Sequence, residues 1–151
     1  MRVWGLAARG AGVCALLVAI SAPAFAQIRD AVYRGTLVCG KLPFFETATR
    51  EAFDINVTGT SARYAHVVRD VFEVSSETGS GTINGQDIAL TGGWRGKRDS
   101  YEARYAGTFV RRSVNLKGVQ TWTHDGKTYT RACSGSIKRP FAIFLPAENR
   151  K

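Results

Sequence analysis

Few residues of this 151-residue chain have the types and spacing that catalysis requires. Its two histidines are His66 and His124, and a catalytic histidine needs a nucleophile or an acid within reach. The sequence contains no Gly-x-Ser-x-Gly elbow, no His-Glu-x-x-His motif and no glycine-rich loop that opens a helix. His66 with Tyr64 is the best catalytic candidate, and a carboxylate pair such as Asp54 with Glu73 has no support from spacing. We therefore expect a protein without enzymatic activity and without a cofactor.

The first 26 residues have the pattern of a secretory signal peptide. A positively charged start precedes an apolar run at 11–20, and Ala24 and Ala26 stand at the −3 and −1 positions of a cleavage site before Gln27. The apolar run is shorter than the roughly 20 residues that a membrane-spanning helix needs. We expect a signal helix over 1–26, a single domain over 27–151 and no integral membrane segment. Export to the periplasm is the expected localisation, with the external medium as the alternative.

Cleavage would remove Cys14 and leave Cys39 and Cys133. Two cysteines in an exported chain predict one disulfide, here between the first and the last strand-like segments. The loop-entropy model assigns up to roughly 4–5 kcal/mol to closing a loop of about 95 residues. The alternative is a zinc site that adds His66 and His124 to the two cysteines, but no Cys-x-x-Cys or His-x-x-x-His spacing supports a metal site.

The chain from residue 27 onward has the patterns of β-strands. In 51–58 apolar and polar side chains alternate, which is typical of a half-buried strand. A second strand is predicted over 62–68 and continued by 71–74, and the serine- and glycine-rich segment 75–81 is predicted to be a loop. No segment has a helical period, and 40–50 is predicted as a loop or a short helical turn.

Turn signals and glycines indicate how these strands are joined. Asn84-Gly85 and Asp125-Gly126 each predict a two-residue hairpin. An apolar-x-Gly step recurs at residues 33–35, 90–92, 105–107 and 116–118. Glycines between large side chains permit the coiling that closes a sheet, and we favour this architectural role over close approach to a ligand. We predict an all-β fold, a single antiparallel β-barrel of about eight glycine-kinked strands, with a β-sandwich as the alternative. A disulfide between the first and last strands suits a closed barrel, where those strands are neighbours.

Aromatic side chains fall mostly on the predicted inward faces. They are Tyr33, Phe53, Tyr64, Phe72, Trp94, Tyr101, Tyr105, Phe109, Trp122 and Tyr129. An eight-stranded barrel is either filled by such side chains or holds one small ligand. Trp94 and Trp122, close to strand ends, are candidate binding residues at the rim of a pocket. The apolar tail 141–145 is predicted to be a last strand, to fold over a barrel end or to form a docking patch.

Basic residues cluster in two predicted loops, at Arg95, Lys97 and Arg98 and at Arg111 and Arg112. Without the signal peptide, 19 basic residues face 12 acidic residues, a net charge of +7. The two loops flank one predicted strand at opposite ends, so their charges would not form the continuous basic face that nucleic acid requires. We therefore expect no nucleic-acid binding. The charge is either solvated or attracts an anionic envelope component or an acidic protein.

Three segments resemble small exported β-barrel proteins of alphaproteobacterial type. They are the Tyr-x-Gly-Thr-Leu-Val-Cys opening at 33–39, the Gly-Val-Gln-Thr-Trp strand at 118–122 and Arg-Ala-Cys at 131–133. The resemblance covers most of 27–151 and implies export and a β fold, but it carries no activity. The Leu-Thr-Gly-Gly-Trp stretch at 90–94 is similar to strands of avidin-type and lipocalin-type barrels. This second likeness concerns architecture alone, because the biotin contacts of avidin have no counterparts here.

Three classes of function fit the sequence. We expect an exported, non-enzymatic binding or interaction protein that presents a disulfide-linked barrel to another macromolecule, as envelope inhibitors of lysozyme or proteases do. The alternative is a carrier of a small apolar ligand inside the barrel. An enzyme is the third class, and the sequence leaves the oligomeric state open.

Overall fold

In a computed structural model, which describes residues 30–69 and 74–140, the chain forms eight β-strands and, within those ranges, no helix. The strands are β1 (Ala31–Cys39), β2 (Thr49–Thr58), β3 (Ser61–Arg69), β4 (Val74–Asn84), β5 (Asp87–Arg95), β6 (Ser100–Val110), β7 (Ser113–His124) and β8 (Lys127–Lys138). The predicted signal helix and the tail at 141–145 lie outside the described residues.

The strands form one closed antiparallel barrel. Each strand pairs with its neighbours in the chain, and β1 also pairs with β8. This closure confirms the eight-stranded barrel and excludes the sandwich. Cys39 and Cys133 stand opposite each other in the β1–β8 register and form the predicted disulfide. Because the disulfide uses both sulfurs, the zinc alternative is wrong. We call the paired β1 and β8 the seam.

The two ends of the barrel differ in their connections. At one end, called the turn end, short turns join β2 to β3, β4 to β5 and β6 to β7. At the other end, called the loop end, lie the 40–48 segment, the 96–99 loop and the turn at Asp125 and Gly126. The φ angles of that turn are 48° and 72°, the left-handed values that a type I′ hairpin requires, so the Asp125-Gly126 prediction is confirmed.

The main departure from the sequence-based expectation is β4. The segment 75–81, predicted as a loop, forms part of this strand and pairs with β3 on one side and β5 on the other. Serine and glycine have low strand propensity, but ladder pairing on both edges overrides it. Apolar alternation is missing because the inward positions are occupied by Glu77, Gly79 and Gly81.

The structure also differs from three local predictions. Val74 begins β4 and pairs antiparallel to β3, so it does not continue β3 as predicted; residues 70–73 lie outside the described residues. Between β1 and β2, a bridge between Leu42 and Phe45 closes a turn, and the helical alternative is wrong. The hairpin predicted at Asn84 forms with its loop one residue later, because Asn84 pairs with Asp87.

Glycines on inward faces allow neighbouring strands to approach closely. A Cβ atom added to Gly81 would lie less than 3.0 Å from the carbonyl oxygen of Ala89, and one added to Gly35 would meet the carbonyl oxygen of Ser136 in the same way. A collision with backbone cannot be relieved by rotating a side chain. The geometry therefore supports the architectural role of these glycines.

The barrel interior has two halves of different character. Near the turn end it is apolar, with Val57, Ile83, Val114 and Ile137 among its buried residues. Near the loop end it contains polar groups among aromatic rings. The aromatic side chains predicted to face inward do so: Tyr33, Phe53, Tyr64, Trp94, Tyr101, Tyr105, Phe109 and Trp122 are buried and Tyr129 is half-buried, whereas Phe72 lies outside the described residues.

Candidate functional site

A connected set of polar side chains, which we call the interior network, occupies the half of the barrel near the loop end. Its members are Tyr64, His66, Glu77, Tyr101, Tyr105, Gln120 and Arg131. Strands β3, β4, β6, β7 and β8 contribute them from inward-facing positions. Burying polar groups is costly unless they are hydrogen-bonded, so a network of this size requires that its members satisfy one another.

Glu77 is the centre of the network and is 0% exposed. Its Oε1 accepts a hydrogen bond from the Tyr64 hydroxyl at 2.5 Å. Its Oε2 accepts one from the Tyr101 hydroxyl at 2.6 Å and lies 2.5 Å from Nε2 of His66. The Tyr105 hydroxyl lies 3.3 Å from both carboxylate oxygens. Both oxygens of this buried carboxyl group therefore have partners on several strands.

The three tyrosines around Glu77 are held as hydrogen-bond donors. Burial, and after it the charge of the Glu77 carboxylate, raises the pKa of Tyr64, Tyr101 and Tyr105 far above the ordinary value of 10.0. Each hydroxyl consequently keeps its proton throughout the neutral range. These three hydroxyls therefore donate to the carboxylate without titrating under physiological conditions.

Gln120 links Glu77 to Arg131. Its Nε2 donates to the Tyr105 hydroxyl at 2.9 Å and lies 3.4 Å from Oε2 of Glu77. Its Oε1 accepts from Nε of Arg131 at 2.7 Å and from the indole N–H of Trp122 at 3.1 Å. Because both ends of this buried amide are engaged, Gln120 determines where the guanidinium of Arg131 stands.

Arg131 is the last member of the network and is 7% exposed. Its guanidinium carbon lies 5.1 Å from the ring centroid of Trp122 and 5.6 Å from that of Phe45, within the range of cation–π attraction. Its Nη1 lies 3.4 Å from the carbonyl oxygen of Gly40. Within the described residues, its Nη2 has no hydrogen-bond partner. Burial lowers the pKa of Arg131 below its ordinary value, although arginine stays protonated in proteins.

A cavity of about 20 Å³ lies beside Arg131. This volume accommodates one water molecule. Its polar lining comes from His66, Tyr101, Gln120, Arg131, Thr49 and Glu51, and its apolar lining from Leu37, Cys39, Phe45, Val68 and Trp122. Phe45 is the part of this lining that belongs to the 40–48 segment rather than to a strand.

The 40–48 segment is attached to the loop end through His124. The Phe44 ring stacks on the imidazole of His124 with a centroid separation of 4.1 Å. Nδ1 of His124 lies 2.7 Å from the carboxylate of buried Asp99, and Nε2 lies 3.5 Å from that of Asp125. His124 therefore joins the segment to the 96–99 loop and to the β7–β8 turn.

The structure places the candidate residues Trp94 and Trp122 inside the barrel, 5% and 1% exposed. Their ring centroids are 5.7 Å apart, and the Trp94 indole N–H donates to the hydroxyl of Ser75. Trp122 contributes to the wall of the small cavity beside Arg131. As they stand, neither indole is available to a macromolecule at the outer surface.

The candidate cations lie in two separate groups. Arg95, Lys97 and Arg98 are exposed at the loop end, and Arg111 and Arg112 form the β6–β7 turn at the turn end. The two groups thus flank β6 at opposite ends, as the sequence predicted. Arg112 is half-buried, and its Nη2 lies 3.3 Å from the carbonyl oxygen of Arg139, just beyond β8.

Apart from the two loop groups, the outer face of the seam carries a cationic groove, which we call the seam groove. It has a volume of about 560 Å³ and is lined by Thr36, Val38, Arg50, Asn115, Leu116, Lys117, Ser134, Gly135, Ser136 and Lys138. In the strand register, Arg50, Val38, Ser134 and Lys117 stand side by side across β2, β1, β8 and β7. With strands spaced by about 4.8 Å, the backbones of Arg50 and Lys117 lie roughly 14 Å apart. Small side chains thus separate two exposed cations.

The residues considered for catalysis and for metal binding lie at different places in the barrel. Both ring nitrogens of His66 have partners, Glu77 and the carbonyl oxygen of Val67, the latter at 3.0 Å. Asp54 lies on the outer face, 3.4 Å from Nε of Arg34, and Glu73 lies outside the described residues. In the part of the chain that the structure describes, no group of three or more His, Cys, Asp or Glu residues is arranged to hold a metal ion.

The fold and the site define a disulfide-linked, closed eight-stranded antiparallel β-barrel with a charged interior network. No protein-family model matches this chain, and no curated protein sequence is significantly similar to it. Among the described residues, no helix is long and apolar enough to cross a membrane. The function must therefore be inferred from the arrangement of the residues.

Sequence reasoning missed three members of the network. Arg131 and Gln120 each lie two positions from a buried residue, Cys133 and Trp122 respectively, so strand alternation places all four on inward faces. That signal was present in the sequence. Glu77 had no such signal, because its strand neighbours are serines, threonine and glycines.

Proposed function

We propose that the protein is an exported, non-catalytic binding protein whose seam groove holds phosphate-bearing headgroups of an anionic envelope lipid surface. The observation that carries the proposal is the charge of this groove. Arg50, Lys117 and Lys138 line it, and no carboxylate does among the described residues. Cations beside hydroxyl donors are the groups that recognise phosphate oxygens.

The shape of the barrel supports binding on the outside. The seam groove has a volume of about 560 Å³, whereas the cavity beside Arg131 has about 20 Å³. The groove is built on four hydrogen-bonded strands and crosses the seam that the Cys39–Cys133 disulfide links. A site on strands is better ordered than one on loops, so its cations lose little freedom on binding.

Export is the part of this proposal that the sequence motivates. The segment 1–26 has the pattern of a signal peptide, and the disulfide is consistent with an oxidising compartment. We place the protein in the periplasm, where anionic lipid surfaces are present. A protein bound there meets its ligand at a surface, which suits a groove on the outside of the barrel.

The proposal is tested by co-sedimentation with vesicles. Vesicles of phosphatidylcholine mixed with phosphatidylglycerol are compared with pure phosphatidylcholine vesicles. The test variant is Arg50→Gln, Lys117→Gln, Lys138→Gln, and the matched control is Arg63→Gln, Arg104→Gln, Lys127→Gln, which removes the same charge from other exposed positions. At roughly 1 kcal/mol per basic residue near an anionic surface, we expect the test variant to bind roughly a hundredfold more weakly than the wild type.

We expect the control variant to lose less than about fivefold, because none of its three residues lines the seam groove. Equal losses in the two variants would show that net charge alone drives binding and would overturn the proposal. Binding no stronger to anionic than to neutral vesicles would also overturn it. In that case an acidic protein partner, as in an envelope inhibitor, becomes the better interpretation. A third variant, Arg95→Gln, Lys97→Gln, Arg98→Gln, shows whether the loop cations contribute.

A further inference from the structure

We propose that the loop end of the barrel interior is a binding site for a small aromatic carboxylate, whose carboxylate pairs with Arg131 and whose ring replaces the Phe45 side chain against Trp122. This site differs from the seam groove in position and in ligand, and it does not depend on lipid binding. It differs from a barrel interior that is only filled by side chains, because it gives the buried Arg131 a role in ligand binding.

The orientation of Arg131 is determined before any ligand binds. Nε donates to Oε1 of Gln120 at 2.7 Å, and Gln120 is itself engaged by Tyr105 and Trp122. On the opposite edge of the guanidinium, Nη1 makes one long contact of 3.4 Å to the Gly40 carbonyl, and Nη2 makes no hydrogen bond within the described residues. With Nε engaged by Gln120, the edge formed by Nη1 and Nη2 is the one left to bind a carboxylate through two parallel hydrogen bonds.

Phe45 occupies the position that a ligand ring would take. Its ring centroid is 5.3 Å from that of Trp122, edge to face, and the Arg131 guanidinium carbon lies 5.6 Å from it. Phe45 is half-buried and belongs to the 40–48 segment, and its backbone N–H bonds to Leu42 within the same segment. Its side chain can therefore rotate outward without breaking a hydrogen bond between strands of the barrel.

The size and charge of the site define the class of ligand. A phenyl ring requires a cavity of roughly 150 Å³, and removing the ring of Phe45 from its place beside the existing 20 Å³ provides room for one aromatic ring. An anion is favoured over a cation because Glu77 is already surrounded by donors, whereas Nη2 of Arg131 makes no hydrogen bond within the described residues. Glu51 also lines the cavity, and its negative charge attracts Arg131 and opposes an anionic ligand.

The experiment titrates benzoate into the full-length native protein, with its disulfide intact, and follows binding by calorimetry and tryptophan fluorescence. Benzyl alcohol, similar in size but uncharged, is the control ligand. We expect the wild type to bind benzoate at least about tenfold more tightly than benzyl alcohol. Phe45→Ala should tighten benzoate binding further, because the ligand no longer displaces a side chain. Arg131→Met, which keeps the approximate volume, should remove the preference for benzoate.

A second variant keeps the proposal testable if Arg131→Met does not fold. Glu51→Gln removes the opposing charge at a half-buried position, and it should tighten benzoate binding while leaving benzyl alcohol unchanged. Equal affinity for the two ligands in the wild type would overturn the proposal. Benzoate binding by Phe45→Ala but not by the wild type would also overturn it, since the substitution would then have created the cavity. Retention of the benzoate preference in folded Arg131→Met would do the same.

Discussion

Replacing Glu77 by glutamine tests whether the buried carboxylate holds the interior network together. The substitution keeps the size and shape of the side chain and changes one carboxylate oxygen into an NH₂ donor. Three close donors face the carboxylate, Tyr64 at 2.5 Å, His66 at 2.5 Å and Tyr101 at 2.6 Å. The amide oxygen can accept from only one side of the site, so the NH₂ group must face hydroxyls or the imidazole that previously donated.

The expected loss follows from the strength of these bonds. A hydrogen bond to a charged group contributes about 1.5–3 kcal/mol, and one between neutral groups about 0.5–1.5 kcal/mol. Converting three hydrogen bonds to a charged group into hydrogen bonds between neutral groups costs about 1 kcal/mol each. We therefore expect Glu77→Gln to lower the free energy of unfolding by about 3 kcal/mol. This is also the lower end of the loss measured when a buried ion pair is broken, roughly 3–5 kcal/mol.

The assay is urea unfolding at neutral pH with the disulfide intact, followed by tryptophan fluorescence. The matched control is Glu102→Gln, which makes the same chemical change on the exposed outer face of β6 and should alter stability by less than about 0.5 kcal/mol. If the free energy of unfolding of Glu77→Gln were within about 1 kcal/mol of that of the wild type, Glu77 would not be the centre of a cooperative network. Such a result would also contradict the inward orientation of Glu77 on β4.

Two further predictions concern pH and the seam. Burial raises the pKa of Tyr33, Tyr64, Tyr101 and Tyr105 above 10.0 in the folded protein, so in a phenolate absorbance titration these four tyrosines should stay protonated until the native protein unfolds. These folded-state pKa values exceed the unfolded value of about 10, so the stabilisation that the protonated tyrosines provide is complete below about pH 10 and is lost as the pH rises above it. Ionisation of several buried tyrosines without loss of stability would contradict this prediction. Replacing Cys39 and Cys133 together by alanine should lower the free energy of unfolding by about 4–5 kcal/mol, since the disulfide joins residues 94 apart. A loss below about 1 kcal/mol in urea unfolding would mean that strand pairing alone holds the seam.

Much of the fold follows from local features of the chain. Alternating side chains predicted β2 and β3, and the Asp125-Gly126 pair predicted the β7–β8 hairpin, because each depends only on neighbouring residues. The disulfide followed from the presence of two cysteines at opposite ends of the strand pattern. The 75–81 part of β4 could not be predicted, because its inward residues Glu77, Gly79 and Gly81 carry no apolar signal and its pairing depends on strands before and after it in the chain.

The candidate site divides in the same way. Strand alternation places His66 beside Tyr64 and Trp122 beside Gln120 on inward faces. It does not show that these side chains meet, because they belong to β3 and β7, on different sides of the barrel. The cations of the seam groove were also missed, since Arg50, Lys117 and Lys138 are far apart in the chain and become neighbours only across the register of four strands.

Local features of the chain are enough to predict an all-β fold with inward aromatic side chains, inward glycines and one disulfide, because period-two alternation, turn residues and cysteine number do not depend on distant contacts. That a carboxylate from a serine- and glycine-rich segment lies at the centre of the barrel follows from strand pairing and closure. Closure brings Glu77 together with donors from β3, β6 and β7, and burial then makes each of those contacts obligatory. The same closure turns the Gln120–Arg131 pair toward the loop end, beside the cavity of about 20 Å³.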